Sequence, residues 1–476
     1  MNPAPPRLDL LRLPLLGAFL RWRHARTALQ GVLLAVAVLV VVDGFWGPPQ
    51  PSRNAAGTLP WVQWRGLVVV ALLGVGNLFC MACPFMLPRR LAKRWSRPAR
   101  PVPSWLKGKW AAVVVLAVFF WAYEALDLWA SPAWTAWVVI GYFVMAFAVD
   151  ALFRGAVFCK HLCPIGQFHF VHTPLSPFEV AVRDVDRCAS CATKDCIRGR
   201  WTPGTSGAQH EVPLQRGCEL WLYQPRKVGN LDCTFCMECI HACPHDNVGI
   251  LSRTPGAELT VDPVRSGVGR LGQRSDLAAL AAVMVFAALV NALGMVQPFV
   301  RLQERVAEQM GVGTGSVLAG ALLLTLVALP GATIAAAASW ERTVTRTASQ
   351  WRRFVWGWVP LGLSMWAAHH LFHFVLGSSA LRPLLSRLTS AAPAAAALPA
   401  ATAMEVPTWV FAVQCALLTG GLLWTLHLLG RIGRDACAER HGAAAVLPWR
   451  LVALLLFLIS IWLLAQPMEM RGALGG

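Results

Sequence analysis

Apolar residues run in long blocks along this chain, and the charged residues collect between them. Nine blocks reach or approach the length of about 20 residues that a helix needs to cross a bilayer. They lie near 28–46, 65–82, 110–130, 134–152, 277–297, 316–339, 354–376, 407–429 and 447–466. The pattern predicts a polytopic α-helical membrane protein with about nine transmembrane helices. Residues 153–275 form the one long interval without such a block, and they are rich in Gly, Pro and Cys. Three parts follow: two helical hairpins over 1–152, an inserted cytoplasmic domain over 153–275, and a five-helix bundle over 276–476. Within the bundle, "TSAAPAAAALPAATAMEVP" is low in complexity and reads as a flexible outer loop.

Composition agrees with the pattern, since 56% of the 476 residues are hydrophobic and 14% are charged, which excludes an ordinary soluble domain. The first block follows an arginine-rich segment and precedes no small-residue cleavage site, so a retained span is expected. The net charge of +18 fits either nucleic-acid binding or membrane orientation, and its placement decides. Arg7, Arg12, Arg21, Arg23 and Arg26 form one set, and Arg89, Arg90, Lys93, Arg94, Arg97, Arg100, Lys107 and Lys109 a second. Arg342, Arg346, Arg352 and Arg353 form a third, with Arg431, Arg434 and Arg440 beyond. Threading nine spans puts all of these on one side, while the opposite loops carry only Arg53, Arg301, Arg305, Arg382, Arg387 and Arg471. By the positive-inside rule the basic side and the N-terminus are cytoplasmic and the C-terminus is periplasmic, in a bacterial inner membrane. Membrane lipid is then the expected partner of the charge, and nucleic acid is not.

Twelve of the fourteen cysteines fall into four clusters. "CTFCMECIHACP" holds Cys233, Cys236, Cys239 and Cys243, then Pro244; this C-x2-C-x2-C-x3-C-P run has the bacterial ferredoxin spacing for a [4Fe–4S] cluster. Structural zinc is the alternative, but zinc sites prefer two separated pairs. "CASCATKDC" supplies Cys188, Cys191 and Cys196, with Cys218 downstream; its wider spacing leaves zinc a fairer rival. The adjacent complete motif argues for a small α+β ferredoxin domain carrying two [4Fe–4S] clusters. If the usual exchange holds, Cys188, Cys191 and Cys196 share one with Cys243, and Cys233, Cys236 and Cys239 share the other with Cys218; the non-exchanged partition is the rival. Disulfides do not suit a reducing cytoplasm.

The remaining two clusters end two of the helical hairpins. "LFCMACPF" carries Cys80 and Cys83, and "VFCKHLCPIG" carries Cys159 and Cys163, each pair closed by a proline. The spacings put each pair on one face of a helical turn, and the proline turns the chain away. If the hairpins pack together, four soft thiols converge on a candidate third metal site suited to an iron–sulfur cluster, copper(I) or zinc. Dithiol chemistry and inert packing are the alternatives.

With both C-P elements and both ferredoxin runs in hand, residues 60–250 resemble the membrane-bound polyferredoxins, a family of NapH-like, NosR-like and CcoG-like iron–sulfur membrane proteins. The resemblance implies four spans carrying a two-cluster ferredoxin domain that moves electrons between the quinone pool and a redox protein partner. The chain departs from that family in having two residues, not three, inside its first C-P element. It also shows no outer flavin-binding domain and no long C-terminal outer domain, and its five-helix bundle has no counterpart in the smallest members.

That bundle contains "PLGLSMWAAHHLFHFVLG", with His369, His370 and His373 inside a predicted span. Ionisable groups at membrane depth are costly, so they are functional candidates. With Glu124 they could take protons from a quinol, a quinol dehydrogenase type of chemistry. A b-type haem is the second reading, disfavoured because His427 lies at a different depth; structural hydrogen bonding is the third. Cys415 and Cys437 have no partner by spacing, and the glycines of "GVGTGSVLAG" follow no strand, so they make no nucleotide site. Two functions compete: an electron-transfer protein linked to the quinone pool, and an assembly factor whose thiols bind or reduce copper for a respiratory metalloenzyme.

Overall fold

The computed structural model describes residues 7–95, 100–201, 213–389, 406–437 and 442–468. Arg97, Arg440, Arg471 and nearly all of the low-complexity loop lie outside the described residues. Helices dominate, and among the described residues seven are long and apolar enough to cross a membrane. They are Ala25–Trp46, Ala55–Val75, Pro132–Leu152, Ser275–Leu293, Thr314–Thr345, Thr408–Ala436 and Gly442–Ala465. Two of the nine expected spans fall short of that standard. Trp110–Ala125 has 16 residues, and Val359–Gly377 is diluted by its three histidines.

The second span differs from its expected range of 65–82. The helix begins ten residues earlier, where the Asn54 side chain accepts a hydrogen bond from Ala56 N at 2.8 Å and caps the first turn. It ends at Val75 because Gly76 takes φ +71°, and a Cβ there would stand 2.6 Å from Ser176 Oγ. Arg65 had marked the edge of the apolar block, yet it stands in the middle of this helix. The first C-P element therefore occupies a separate short turn, Leu78–Ala82, and not the end of the span.

The chain divides into two compact units, each drawing on three stretches of sequence. The first comprises Met1–Ala35, Ala71–Gly108 and Val144–Arg274. Its centre is a two-stranded antiparallel sheet in which Phe178–Val182 pairs with Val248–Ser252, in register from Phe178 opposite Ser252 to Val182 opposite Val248. An N-terminal arm extends the sheet edge: Ser252 N donates to Leu8 O at 2.7 Å, and Leu8 N donates to Ser252 Oγ at 2.9 Å. The cysteine loops lie in sequence between the two strands. Leu10, Leu11, Leu20, Met81, Val180, Phe235, Ile240 and Ile250 close a core that also contains Cys218, Cys233 and Cys239. Packing of the arm, the sheet and both loops into one core is what fixes the cysteines.

The second unit comprises Val36–Val70, Lys109–Phe143 and Ser275–Gly476. Ser275–Leu293 is its most enclosed helix. A buried aromatic group anchors the bundle: Trp358 Nε1 donates to Trp449 O at 3.1 Å, Trp449 Nε1 donates to Glu341 Oε2 at 3.2 Å, and Phe354 stacks on Trp449 at 5.3 Å. The carboxylate of Glu341 also accepts from Gln350 N at 2.7 Å, so this buried acid is fully engaged.

Candidate metal centres

The Cys233–Cys243 loop coils through backbone conformations that side chains normally avoid. Asp232, Phe235 and Met237 have φ of 63°, 51° and 63°. Left-handed residues other than glycine cost about 1–2 kcal/mol each, so the core must hold them. The reversals turn Cys233 and Cys236 inward before the short helix Glu238–Ala242 starts, and that helix buries Cys239 in its first turn. Cys239 has Cys218, Cys236 and Cys233 as its electrostatic neighbours, and burial pushes its thiol well above the ordinary range. Cys243 leaves this group in an extended conformation before Pro244. It lines a pocket with Cys188, Cys191 and Cys196, together with Lys194, Tyr223 and Asn247. Cys196 is pushed up to about 11, first by burial and then by Cys188, Cys243 and Cys191.

N–H groups point at the sulfurs of both sets. Asn247 N donates to Cys243 Sγ and Asn247 Nδ2 to Cys188 Sγ, each at 3.3 Å, and Leu222 N donates to Cys218 Sγ at 3.4 Å. Such donors favour a thiolate over a thiol. The eight cysteines thus stand as two groups of four, and each group combines residues from both sequence runs.

The two C-P elements share a local geometry. Cys83 follows a helical turn with φ −61°, ψ 121°, and Cys163 follows the π-type turn Phe158–Leu162 with φ −61°, ψ 117°. Each proline then starts the next turn, where its missing N–H costs nothing. Cys80 has Cys83 and Cys163 as neighbours, and Cys159 has Cys163 and Cys83, so all four thiols belong to one group. Burial raises all of them, Cys83 to about 12 and Cys163 to about 11. Without a cation they stay protonated. Cys233 is a further neighbour of Cys80. Asn77 ties the two groups together, donating from Nδ2 to Cys233 O at 2.6 Å while its Oδ1 stands 3.1 Å from His169 Nδ1. Phe79 stacks on His169 at 5.2 Å.

Among the described residues, no three His, Cys, Asp or Glu side chains converge closely enough to hold a single ion. A four-iron cubane takes one thiolate on each iron, so its ligands surround a volume and do not meet at a point. Soft thiols in fours, with N–H donors on their sulfurs, fit that group.

A buried ionic network with no local sequence signature lies beside these thiols. Arg26 makes two hydrogen bonds to the Glu219 carboxylate, both at 3.1 Å, and reaches Glu238 at 3.4 Å. Arg89 reaches Glu219 at 3.1 Å and Asp150 at 3.7 Å. Arg26 and Arg89 had registered only as topology charges. Their partners lie up to 212 residues away in the chain, so no local pattern announces them.

In the second unit, His369 and His370 are buried and His373 half-buried on the Val359–Gly377 helix. His373 Nε2 and His369 Nε2 stand 3.1 Å apart, which requires one ring to donate and the other to accept. The buried Glu124 carboxylate faces Gly294, where a Cβ would stand 3.3 Å from its Oε1 and 3.4 Å from its Oε2. Of the remaining candidates, His427 is exposed on its helix, and Cys415 and Cys437 are free cysteines in the second unit.

Comparison with known proteins adds one finding. A stretch of 103 residues, 21% of this chain, is 29% identical to "Putative electron transport protein YccM" of Escherichia coli (strain K12). The match spans 23% of that relative's length. No family model matches the chain, and no solved structure does.

Proposed function

We propose that this chain is a membrane-bound iron–sulfur electron-transfer protein that passes electrons between the quinone pool and a redox partner. The observation that carries the reading is the sorting of twelve cysteines into three groups of four within one compact unit. Bound [4Fe–4S] clusters would supply one-electron transfer at potentials set by charge, hydrogen bonding and burial. Cys188, Cys191, Cys196 and Cys243 hold one cluster and Cys218, Cys233, Cys236 and Cys239 the second, in a ferredoxin-type domain. Cys80, Cys83, Cys159 and Cys163 hold a third. Cys80 beside Cys233, with the Asn77 bridge, keeps the C-P group and the second group in one electronic path. His369, His370, His373 and Glu124 are the proton-accepting groups of the quinol site. The YccM name supports a general electron-transport role. Basic loops support a multi-pass inner-membrane protein with its cysteine unit and N-terminus in the cytoplasm.

The test is anaerobic mixing of the purified protein with a short-chain quinol, followed by visible absorbance and EPR of the iron–sulfur centres. The proposal expects quinol to reduce the centres, or quinone to reoxidise them after dithionite. Centres that respond to dithionite and ignore both quinone forms would refute the quinone link. Stoichiometric copper without iron would favour the assembly-factor alternative.

A further inference from the structure

Arg65 stands in the middle of the Ala55–Val75 helix, at a depth where a charged side chain is costly. No carboxylate pairs with it among the described residues. Its guanidinium donates to Tyr123 Oη at 3.3 Å and Asn291 Oδ1 at 3.5 Å, and lies 4.8 Å and 4.5 Å from the ring centres of Trp61 and Tyr123. These are neutral partners that steady a cation without neutralising it. The charge of Arg65 acts on His369, His370 and His373. The neighbouring Gly66 packs on the same helix, where a Cβ would stand 3.6 Å from His370 O.

The surroundings hold polar atoms with nothing to bond. Asn291 Nδ2, His369 Nδ1 and His370 Nδ1 are buried without partners. Their residues are 4%, 1% and 4% exposed. Each such group is costly to bury unless a ligand satisfies it. Aromatic rings wall the region: Trp366 stacks on His370 at 5.5 Å and on Phe120 at 6.2 Å, and Trp61 lies 5.0 Å from Tyr123. A cation without counter-charge, the unpaired Asn291 amide and flat apolar walls match a planar ring bearing electron-rich oxygens.

We propose that Arg65, Tyr123 and Asn291 form the anchoring side of a binding site for the oxygen-bearing head group of a quinone, opposite the His369–His373 pair. Arg65 donates to a head-group oxygen, and the unpaired amide of Asn291 supplies a second donor. This rests on the quinone reading above and adds the residue that confers affinity.

The experiment is calorimetric titration of the full chain in detergent with short-chain ubiquinone and menaquinone analogues. It compares wild type with Arg65→Gln, Tyr123→Phe and the exposed-site control Arg305→Gln. Arg65→Gln is expected to weaken binding about tenfold or more, the share of a charge-assisted hydrogen bond. Tyr123→Phe loosens the guanidinium by one hydrogen bond and weakens binding about threefold, while Arg305→Gln changes nothing. If Arg65→Gln fails to fold, Tyr123→Phe decides, because it keeps the ring and removes only the hydroxyl. Unchanged affinity in Arg65→Gln, or in Tyr123→Phe where that variant decides, overturns the anchor and leaves the quinone reading standing. No binding by wild type, in protein whose centres dithionite reduces, overturns the quinone reading and the anchor together.

Discussion

Replacing Glu219 with leucine should cost more stability than removing either of the arginines it serves. Its carboxylate is shared by two buried guanidiniums, at 3.1 Å from each, with side-chain exposures of 7% for Glu219, 5% for Arg26 and 3% for Arg89. Breaking a buried pair from one side costs about 3–5 kcal/mol, because the stranded charge stays out of water. Glu219→Leu strands two like charges at once. Part of that is offset, since Arg26 keeps Glu238 at 3.4 Å and Arg89 keeps Asp150 at 3.7 Å, so a loss of about 3 kcal/mol is expected. Arg26→Met leaves Glu219 paired with Arg89, and Arg89→Met leaves it paired with Arg26. Each removes one of the two cations that face this carboxylate and should cost about 2 kcal/mol. Chemical denaturation of the purified protein in detergent gives the ordering, and iron retained after each step reports the same unit. Equal midpoints for Glu219→Leu and Arg26→Met would refute the shared-hub argument.

Two further outcomes follow from the same unit. Burial holds His169 down to about 3 and His172 down to about 4, so both are neutral in the folded protein. The unfolded chain binds these protons first, near its ordinary value of about 6.5, so stability falls as pH drops below that value. Each histidine contributes a slope of about 1.4 kcal/mol per pH unit until pH reaches its folded value. Replacing both with glutamine should flatten the pH dependence of unfolding between pH 6 and about 4, and an unaltered slope would contradict the assignment. Cys243→Ser should perturb the EPR signal that Cys188→Ser perturbs and spare the signal lost in Cys239→Ser. A Cys243→Ser variant that instead matches Cys239→Ser would exchange the ligand sets.

The long apolar blocks were legible as helices because burial in lipid demands them, and the second unit consists of little else. Block edges were less legible. Arg65 looks like the edge of a span only while charge is taken as a sign of water, and inside the protein it is held by Tyr123 and Asn291. Asn54 as a cap and Gly76 as a stop were readable signals for the true ends of that helix. The ferredoxin spacing of the cysteine runs is visible in the sequence alone. The meeting of Cys80 and Cys83 with Cys159 and Cys163 required two distant segments to pack, and only the fold displays it. The Arg26–Glu219–Arg89 network was invisible for the same reason.

The central claim is that the three groups of four cysteines hold iron–sulfur clusters. Iron, acid-labile sulfide, copper and haem per chain in anaerobically purified protein test it most directly. About twelve irons and about twelve sulfides are expected, with neither copper nor haem. About eight irons would remove the cluster from the C-P group, and four or fewer in fully loaded protein would contradict the account.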